Sequence, residues 1–386
     1  MSRIDDLIAE YCPDGVKHQT LGEIGEFIRG NGIQKRDFQD SGFGCIHYGQ
    51  IYTYYGLFAD HTKSFIDPNL AEKRKKAYKG DLVIATTSEN EEDVCKACAW
   101  LGEEPIAISG DAYIFRHHQN PKYISYCFQS ELFQSQKKKY ITGTKVLRVN
   151  GDAMAKIHVP VPPLPVQEEI VRILDSFSSL EAELEAELEA RRKQYTHYRD
   201  ELLKFERVLI ASLGELCKIS VGRKNGTAGE FGEYPYVNAG TSMSGFVNEW
   251  SEEGDCVTTP SRGQGGMGFV AYQASRFWCG PLCYVMRSKH SDVMIKYVYY
   301  YLCSRKADIR GLVHEGGTPA INKSELAGLR ILVPPFEEQQ RIVSILDRFD
   351  KLTNDLSSGL PAEIEARHKQ YEYYRDRLLS FDELAA

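Results

Sequence analysis

Cys95 and Cys98, in the run Cys95-Lys96-Ala97-Cys98, stand at the spacing of two metal ligands. A tetrahedral zinc site needs two more, and no second Cys-x-x-Cys follows; Cys279 and Cys283 are one residue too far apart. The ten cysteines are otherwise scattered, as buried thiols of a reducing compartment would be. The stretches GRKNGTAGEFG (222–232) and SRGQGGMG (261–268) are glycine-rich but lack the Gly-Lys-Ser/Thr ending of a phosphate loop. No carboxylate–lysine cluster suited to a nuclease stands out, and no histidine pair has ligand spacing. Asp81 and Asp255 each follow a glycine in matched contexts, which a turn or strand start explains. No metal, no cofactor and no catalytic residue is therefore expected.

The remaining candidates are cations and amides. Lys73-Arg74-Lys75-Lys76 and Lys137-Lys138-Lys139 are basic runs flanked by aromatics. They suit the phosphates of nucleic acid, or simply a solvated face. Arg262 and Gln264 sit in the second glycine-rich stretch, after a predicted strand. Arginine fits the O6/N7 edge of guanine and glutamine the N6/N7 edge of adenine, both bidentate; a plain surface loop explains them equally. Gln34, Lys35 and Arg36 in GNGIQKRDF, and Arg223, Lys224 and Asn225 in VGRKNG, are loop candidates of the same kind. The tyrosines from Tyr48 to Tyr55 read as core and not as a base-stacking platform.

A net charge of −7 argues against nucleic acid until its distribution is seen. Residues 17–158 hold 19 Lys+Arg against 17 Asp+Glu, or +2, and residues 207–331 hold 14 against 11, or +3. Everything else carries −7 − 5 = −12. Two mildly basic regions are thus separated by acidic ones. No apolar run approaches the roughly 20 residues of a membrane span, and the start lacks the regions of a signal peptide, so a cytoplasmic location is expected.

Something must position these groups, and the chain supplies it twice. PPLPVQEEIVRILDSF (162–177) matches PPFEEQQRIVSILDRF (334–349) at an offset of 334 − 162 = 172. EARRKQYTHYRDELLKF (189–205) matches EARHKQYEYYRDRLLSF (365–381) at 365 − 189 = 176. Fainter echoes pair Leu21-Gly22-Glu23 with Leu213-Gly214-Glu215, Gly80-Asp81 with Gly254-Asp255, and Gly143-Thr144 with Gly317-Thr318. The period is about half the chain, which predicts a pseudo-dimer and not a solenoid.

The strong repeats are helical. Ile170, Ile173, Phe177, Leu180 and Leu184 step 3-4-3-4, and Tyr195, Tyr198, Leu202 and Phe205 step 3-4-3. The partner seams are Ile342, Ile345, Phe349, Leu352 and Leu356, then Tyr371, Tyr374, Leu378 and Phe381. Ser357-Ser358-Gly359-Leu360-Pro361 must break the second helix. The first carries LEAELEAELEA (180–190) instead. Four residues turn a helix by about 400° and lengthen it by about 6 Å, so each unit changes length while nearly sparing the apolar face. That predicts a spacer; a solvated Glu/Ala stretch is the plainer reading. The two helices should pack antiparallel and hold two basic domains apart. A helix from Gln167 to Phe205 is about 58 Å long, equivalent to at most ~17 base pairs of duplex.

The paired Pro-Pro-x-x-x-Gln-x-x-Ile-x-x-Ile-Leu-Asp-x-Phe segments, each followed by Lys-Gln-Tyr-x-x-Tyr-Arg-Asp-x-Leu-Leu-x-Phe, resemble the conserved helices of type I restriction–modification specificity subunits. The resemblance covers essentially the whole chain, though its specific motifs lie in the helices. LEAELEAELEA departs from the break in the second copy, which leaves the spacer length open. The resemblance implies an α+β fold: two mixed α/β target-recognition domains joined by two long antiparallel coiled-coil helices. The corresponding division is 1–160, helix 161–205, 206–332 and helical region 333–386. It implies recognition of a split duplex-DNA sequence, with two methyltransferase subunits as partners and restriction/translocase subunits recruited through the complex. Tyr195, Tyr198, Arg199, Tyr371, Tyr374 and Arg375, in the repeated Tyr-Arg-Asp segments, would dock those partners.

Val333-Pro334-Pro335-Phe336 has the outline of the Asp/Asn-Pro-Pro-aromatic motif of adenine methyltransferases. Valine cannot hydrogen-bond a target amine, and the motif recurs as Val161-Pro162-Pro163-Leu164 at the start of the other helix. A self-sufficient modification enzyme is thereby disfavoured. The rival from another class is a coiled-coil scaffold carrying two protein-binding domains. A steep salt dependence of duplex binding separates recognition from scaffolding.

Overall fold

A computed structural model describes residues 3–223, 228–355 and 357–384. The chain divides into two compact units, residues 1–183 with 365–386, and residues 184–364. Each unit therefore takes part of both helical regions.

In the first unit, the strands Gly25–Arg29, Ala112–His117, Leu82–Ala85, Lys96–Trp100 and Phe58–Ala59 form one sheet in that spatial order. Every residue of Leu82–Ala85 is buried, as a central strand with both faces covered requires. A second sheet runs Ser64–Ile66, Phe43–Ile46, Ile106–Ile108, Lys76–Ala77, with its middle pair parallel. Ile46, Val83, Trp100, Ile108 and their neighbours fill one core. The opposite core is closed by the helices Pro121–Cys127 and Glu131–Lys137 and by the start of Leu164–Leu202.

The second unit repeats this plan. Cys217–Val221, Cys283–Ser288, Cys256–Pro260 and Ala271–Gln273 form a four-stranded sheet. Phe246–Val247, Tyr234–Val237 and Trp278–Cys279 form another, again with a parallel pair. The Leu-Gly-Glu echoes are helix starts. Thr20 and Ser212 cap them, and Glu23 and Glu215 reach back to the cap backbone at 2.7 and 2.6 Å, a capping box in each unit. The glycine between is required by close packing: a Cβ on Gly22 or Gly214 would meet the Cβ of Ala155 or Ala327 at 3.1 or 3.0 Å. The other echo is out of step by one. Leu82 aligns through Phe115 with Phe27, and Val257 through Met286 with Ile219. Gly80 therefore matches Asp255, and both have positive φ (95° and 51°).

Leu164–Leu202 is one unbroken helix of 39 residues. Its counterpart is two helices, Phe336–Asn354 and Leu360–Leu378. Between them the Asp355 carboxylate accepts from the Ser357 amide (2.8 Å) and from the Ser357 and Ser358 hydroxyls (2.6 Å each). Leu356, placed in the seam from sequence, lies outside the described residues. In the first unit Phe177 stacks on Tyr374 at 5.5 Å and Glu181 pairs with His368 at 3.2 Å, an antiparallel order. Buried side chains of Leu164–Leu202 end at Leu174; Leu180 is exposed and Leu184 and Leu188 are half-buried, so the Leu-Glu-Ala stretch belongs to no closed core.

Both helices are tied to their units by the same polar groups, of which Gln167 and Gln339 are buried. The amide of Gln167 accepts from Asn120 N (3.0 Å) and donates to Pro162 O (2.8 Å); Gln339 does the same with Met294 N and Pro334 O (2.9 Å each). Asp175 receives Lys122 (2.7 Å) and the Tyr126 hydroxyl (2.8 Å), and Asp347 receives Lys296 (2.8 Å) and Tyr300 (2.5 Å). These anchors come from Lys-Tyr-x-x-Tyr at 122–126 and 296–300, a further repeated motif, too short to stand out along the chain. Among the described residues no helix is long and apolar enough to cross a membrane.

Candidate nucleic-acid interface

Two of the first unit's candidate segments, Gln34–Arg36 and Lys73–Lys76, converge beyond the end of the strand Gly25–Arg29. In the first unit the side chain of Asn31 joins two loops. Its Nδ2 donates to Lys73 O (3.1 Å) and its Oδ1 accepts from Lys75 N (2.8 Å), across 42 and 44 residues of sequence. The Gln34-Lys35-Arg36 loop and the Lys73–Lys76 run thereby become one surface. Gly32, at φ +57°, makes the approach possible, since a Cβ there would lie 2.8 Å from the Arg74 guanidinium. Gln34, Lys35, Arg36, Lys73 and Lys75 are exposed. Arg74 and Lys76 are half-buried, the latter with its ammonium 5.6 Å from the Phe43 ring centre. None of these cations has a carboxylate partner among the described residues. Beside them, burial first and then the charge of Lys35 hold the pKa of His47 below the ordinary value, against the opposing charge of Asp111.

Lys137 requires a correction. It is wholly buried, and its ammonium donates to Glu91 O (2.8 Å), Val94 O (3.1 Å), Glu92 O (3.2 Å) and the Gln134 side chain. An ammonium has three protons, so none is left for a phosphate. Burial pulls its pKa down. Lys138 and Lys139 remain exposed, with Lys138 3.9 Å from Glu91. The basic run is thus one structural cation followed by two surface ones.

In the second unit, Gly222 N and Arg223 N donate to Cys283 O (3.1 Å) and Cys279 O (2.8 Å), as Gly30 and Asn31 do to Ala112 O (2.9 Å) and Ile108 O (3.1 Å). Arg223 therefore stands in the place of Asn31 and is exposed. Lys224 and Asn225 lie outside the described residues. Arg262 and Gln264 are exposed in a loop held by its glycines: Gly263, Gly265 and Gly268 have positive φ, and a Cβ on Gly266 would meet Ala239 O at 2.0 Å. That contact places the loop beside the end of Tyr234–Val237.

The helical candidates divide. Tyr371 is 5% exposed and donates to Gln129 at 3.0 Å; Arg375 lies 5.7 Å over its ring and pairs with Asp376 at 2.9 Å. Arg199 lies 5.8 Å over Tyr195 and pairs with Asp200 at 2.8 Å. The two arginine side chains are only 13% and 12% exposed, so both Tyr–Arg pairs are engaged within the fold. Tyr198 and Tyr374 retain surface, each against a phenylalanine, Phe349 at 5.7 Å and Phe177 at 5.5 Å. Cys95 and Cys98 are buried thiols that burial pushes up to about 12. Among the described residues no group of three His, Cys, Asp or Glu could hold a metal ion.

The chain matches the type I restriction modification DNA specificity domain twice, over residues 13–190 and 208–366, and belongs to that family. It is 36% identical over 273 residues to the EcoR124I/EcoR124II type I restriction enzyme specificity subunit of Escherichia coli, covering 60% of this chain and 65% of that one. A Mycoplasma pneumoniae protein named as a type I specificity subunit is 33% identical over 244 residues, covering 59% of this chain and 94% of the relative. The crystal structure of a type I restriction-modification S subunit from M. genitalium shares the fold, with a TM-score of 0.62 at 14% identity and coverage of 94% and 96%.

Proposed function

We propose that each unit reads one half of a split duplex-DNA sequence, and that the helices dock two methyltransferase subunits, through which restriction/translocase subunits join. The observation that carries this is that two like folds both present exposed cations without a carboxylate partner among the described residues: Lys35, Arg36, Lys73 and Lys75 around Asn31 in one, and Arg223, which takes the place of Asn31, with Arg262 in the other. Two like modules in one chain suit the two half-sites of a split duplex target. The unbroken 39-residue helix supports a spacer role for its Leu-Glu-Ala units. The surfaces presented to methyltransferase partners would include Tyr198 and Tyr374, which keep exposed ring area. The test is assembly of the chain with a methyltransferase subunit, followed by duplex binding across salt concentrations and sequencing of modified sites. A split target bound with a steep salt slope is expected. Partner binding without duplex affinity would favour the scaffold instead.

A further inference from the structure

The first unit holds a cleft of about 220 Å³ that none of the residues singled out from sequence enters. Arg29, Thr87, Asp111, Thr142, Arg148 and Asn150 line it. Arg29 connects it to the surface already described, because its Nε donates to Gly110 O at 3.1 Å and Gly110 packs on Asn31 and Gly32. Arg148 is exposed, and no carboxylate neutralises it among the described residues. Its backbone is pinned in both directions to Thr142 (2.8 and 2.9 Å), so its guanidinium projects from a fixed base.

The second unit has an equivalent place. Thr87 pairs with Arg148 across a short antiparallel ladder, and Arg262 pairs with Ala320 across the same one. The equivalence is fixed by backbone bonds: Val149 N donates to Thr86 O, as Ile321 N does to Ser261 O. Each unit thus carries one arginine on this ladder, on opposite strands. The surrounding charges are not repeated. Arg29 pairs with Tyr113, and its counterpart Val221 with Tyr284. Asp111 O accepts from Thr86 N, and its counterpart Leu282 O from Ser261 N. The scaffold is kept and the lining is changed, as expected of positions that distinguish two half-sites. The lining also mixes donors with an acceptor, Asp111. Base edges present both; a phosphate presents acceptors only.

We infer that this cleft reads base edges of the half-site bound by the first unit, with Arg148 as its principal specificity-determining residue and Asp111 as an acceptor for a base amine. The inference rests on the proposed reading of duplex DNA by each unit. Its test is sequencing of modified sites in cells carrying the complete system with Arg148→Ala, Arg148→Lys or Asp111→Asn. Arg148→Ala is expected to admit other bases at one or two positions of one half-site, with discrimination there falling about 5- to 150-fold and the other half-site unchanged. Arg148→Lys should relax the same positions, because the bidentate fork is lost although the charge stays. Asp111→Asn should shift preference within that half-site. If Arg148→Ala instead lowers modification at all sites alike and Arg148→Lys restores it, Arg148 holds a phosphate and the inference is overturned. A wild-type complex that modifies no split sequence would sink the underlying reading itself, a distinct outcome.

Discussion

Replacing Lys137 by methionine separates a structural cation from a DNA-binding one. The ammonium satisfies three backbone carbonyls of residues 91, 92 and 94 from a wholly buried position. Methionine fills similar volume but donates nothing. Each carbonyl left without a partner costs about 1–3 kcal/mol. Relief from desolvating an ammonium, worth several kcal/mol, returns part of that. A net loss of about 2–4 kcal/mol follows, and at about 2–4 °C per kcal/mol for a domain of this size the first unit should melt about 5–15 °C lower. Lys137→Gln, which keeps two donors, should fall between. Duplex binding should keep its salt slope, since each phosphate contact contributes about 0.9 to it and Lys137 makes none. The paired control is Lys73→Ala with Lys75→Ala, which should lower the slope by up to about 2 while sparing the melting temperature. Thermal unfolding and salt-titrated binding read both effects. Unchanged melting of Lys137→Met together with a slope smaller by about 1 would refute the burial argument.

Arg262→Ala, if Arg262 reads a base, should relax one position of the other half-site at a cost of about 1–3 kcal/mol; a uniform loss across sequences would reassign it to the backbone. Deleting Leu184 to Glu187 shortens the first helix by about 6 Å and turns its face by only about 40°. The gap between half-sites should then shrink by one or two base pairs with the specified bases unchanged, and an unaltered gap at full activity would make the repeat filler. Burial lowers the pKa of His117 to about 4 from its usual 6.5, and its Nδ1 accepts from Gln119 N at 3.1 Å, so it folds neutral. Its contribution is complete above pH 6.5 and is lost as pH falls toward 4, by up to roughly 3 kcal/mol at 1.36 per unit. Unfolding of His117→Phe across that range should therefore show a shallower acid dependence than wild type.

What the sequence determined by itself is what short-range physics controls. The seams around Ile170 and Ile342 and the break at Ser357–Pro361 each depend on residues within a few turns of one another, so spacing alone reveals them. Duplication made them doubly legible, and with them the family. The tertiary structure alone decided which cations face outward. Lys137, Lys138 and Lys139 are chemically alike in sequence, yet the first ends among three carbonyls from a loop more than forty positions away. Asn31 gave no sign that it would join the Arg36 and Lys73 loops. Arg29 and Arg148 were passed over because neither sits in a run, and only strand register places Arg148 on the ladder that carries Arg262. Periodicity is written along the chain; burial, convergence and register arise between segments distant in it, where folding and not spacing sets the neighbours.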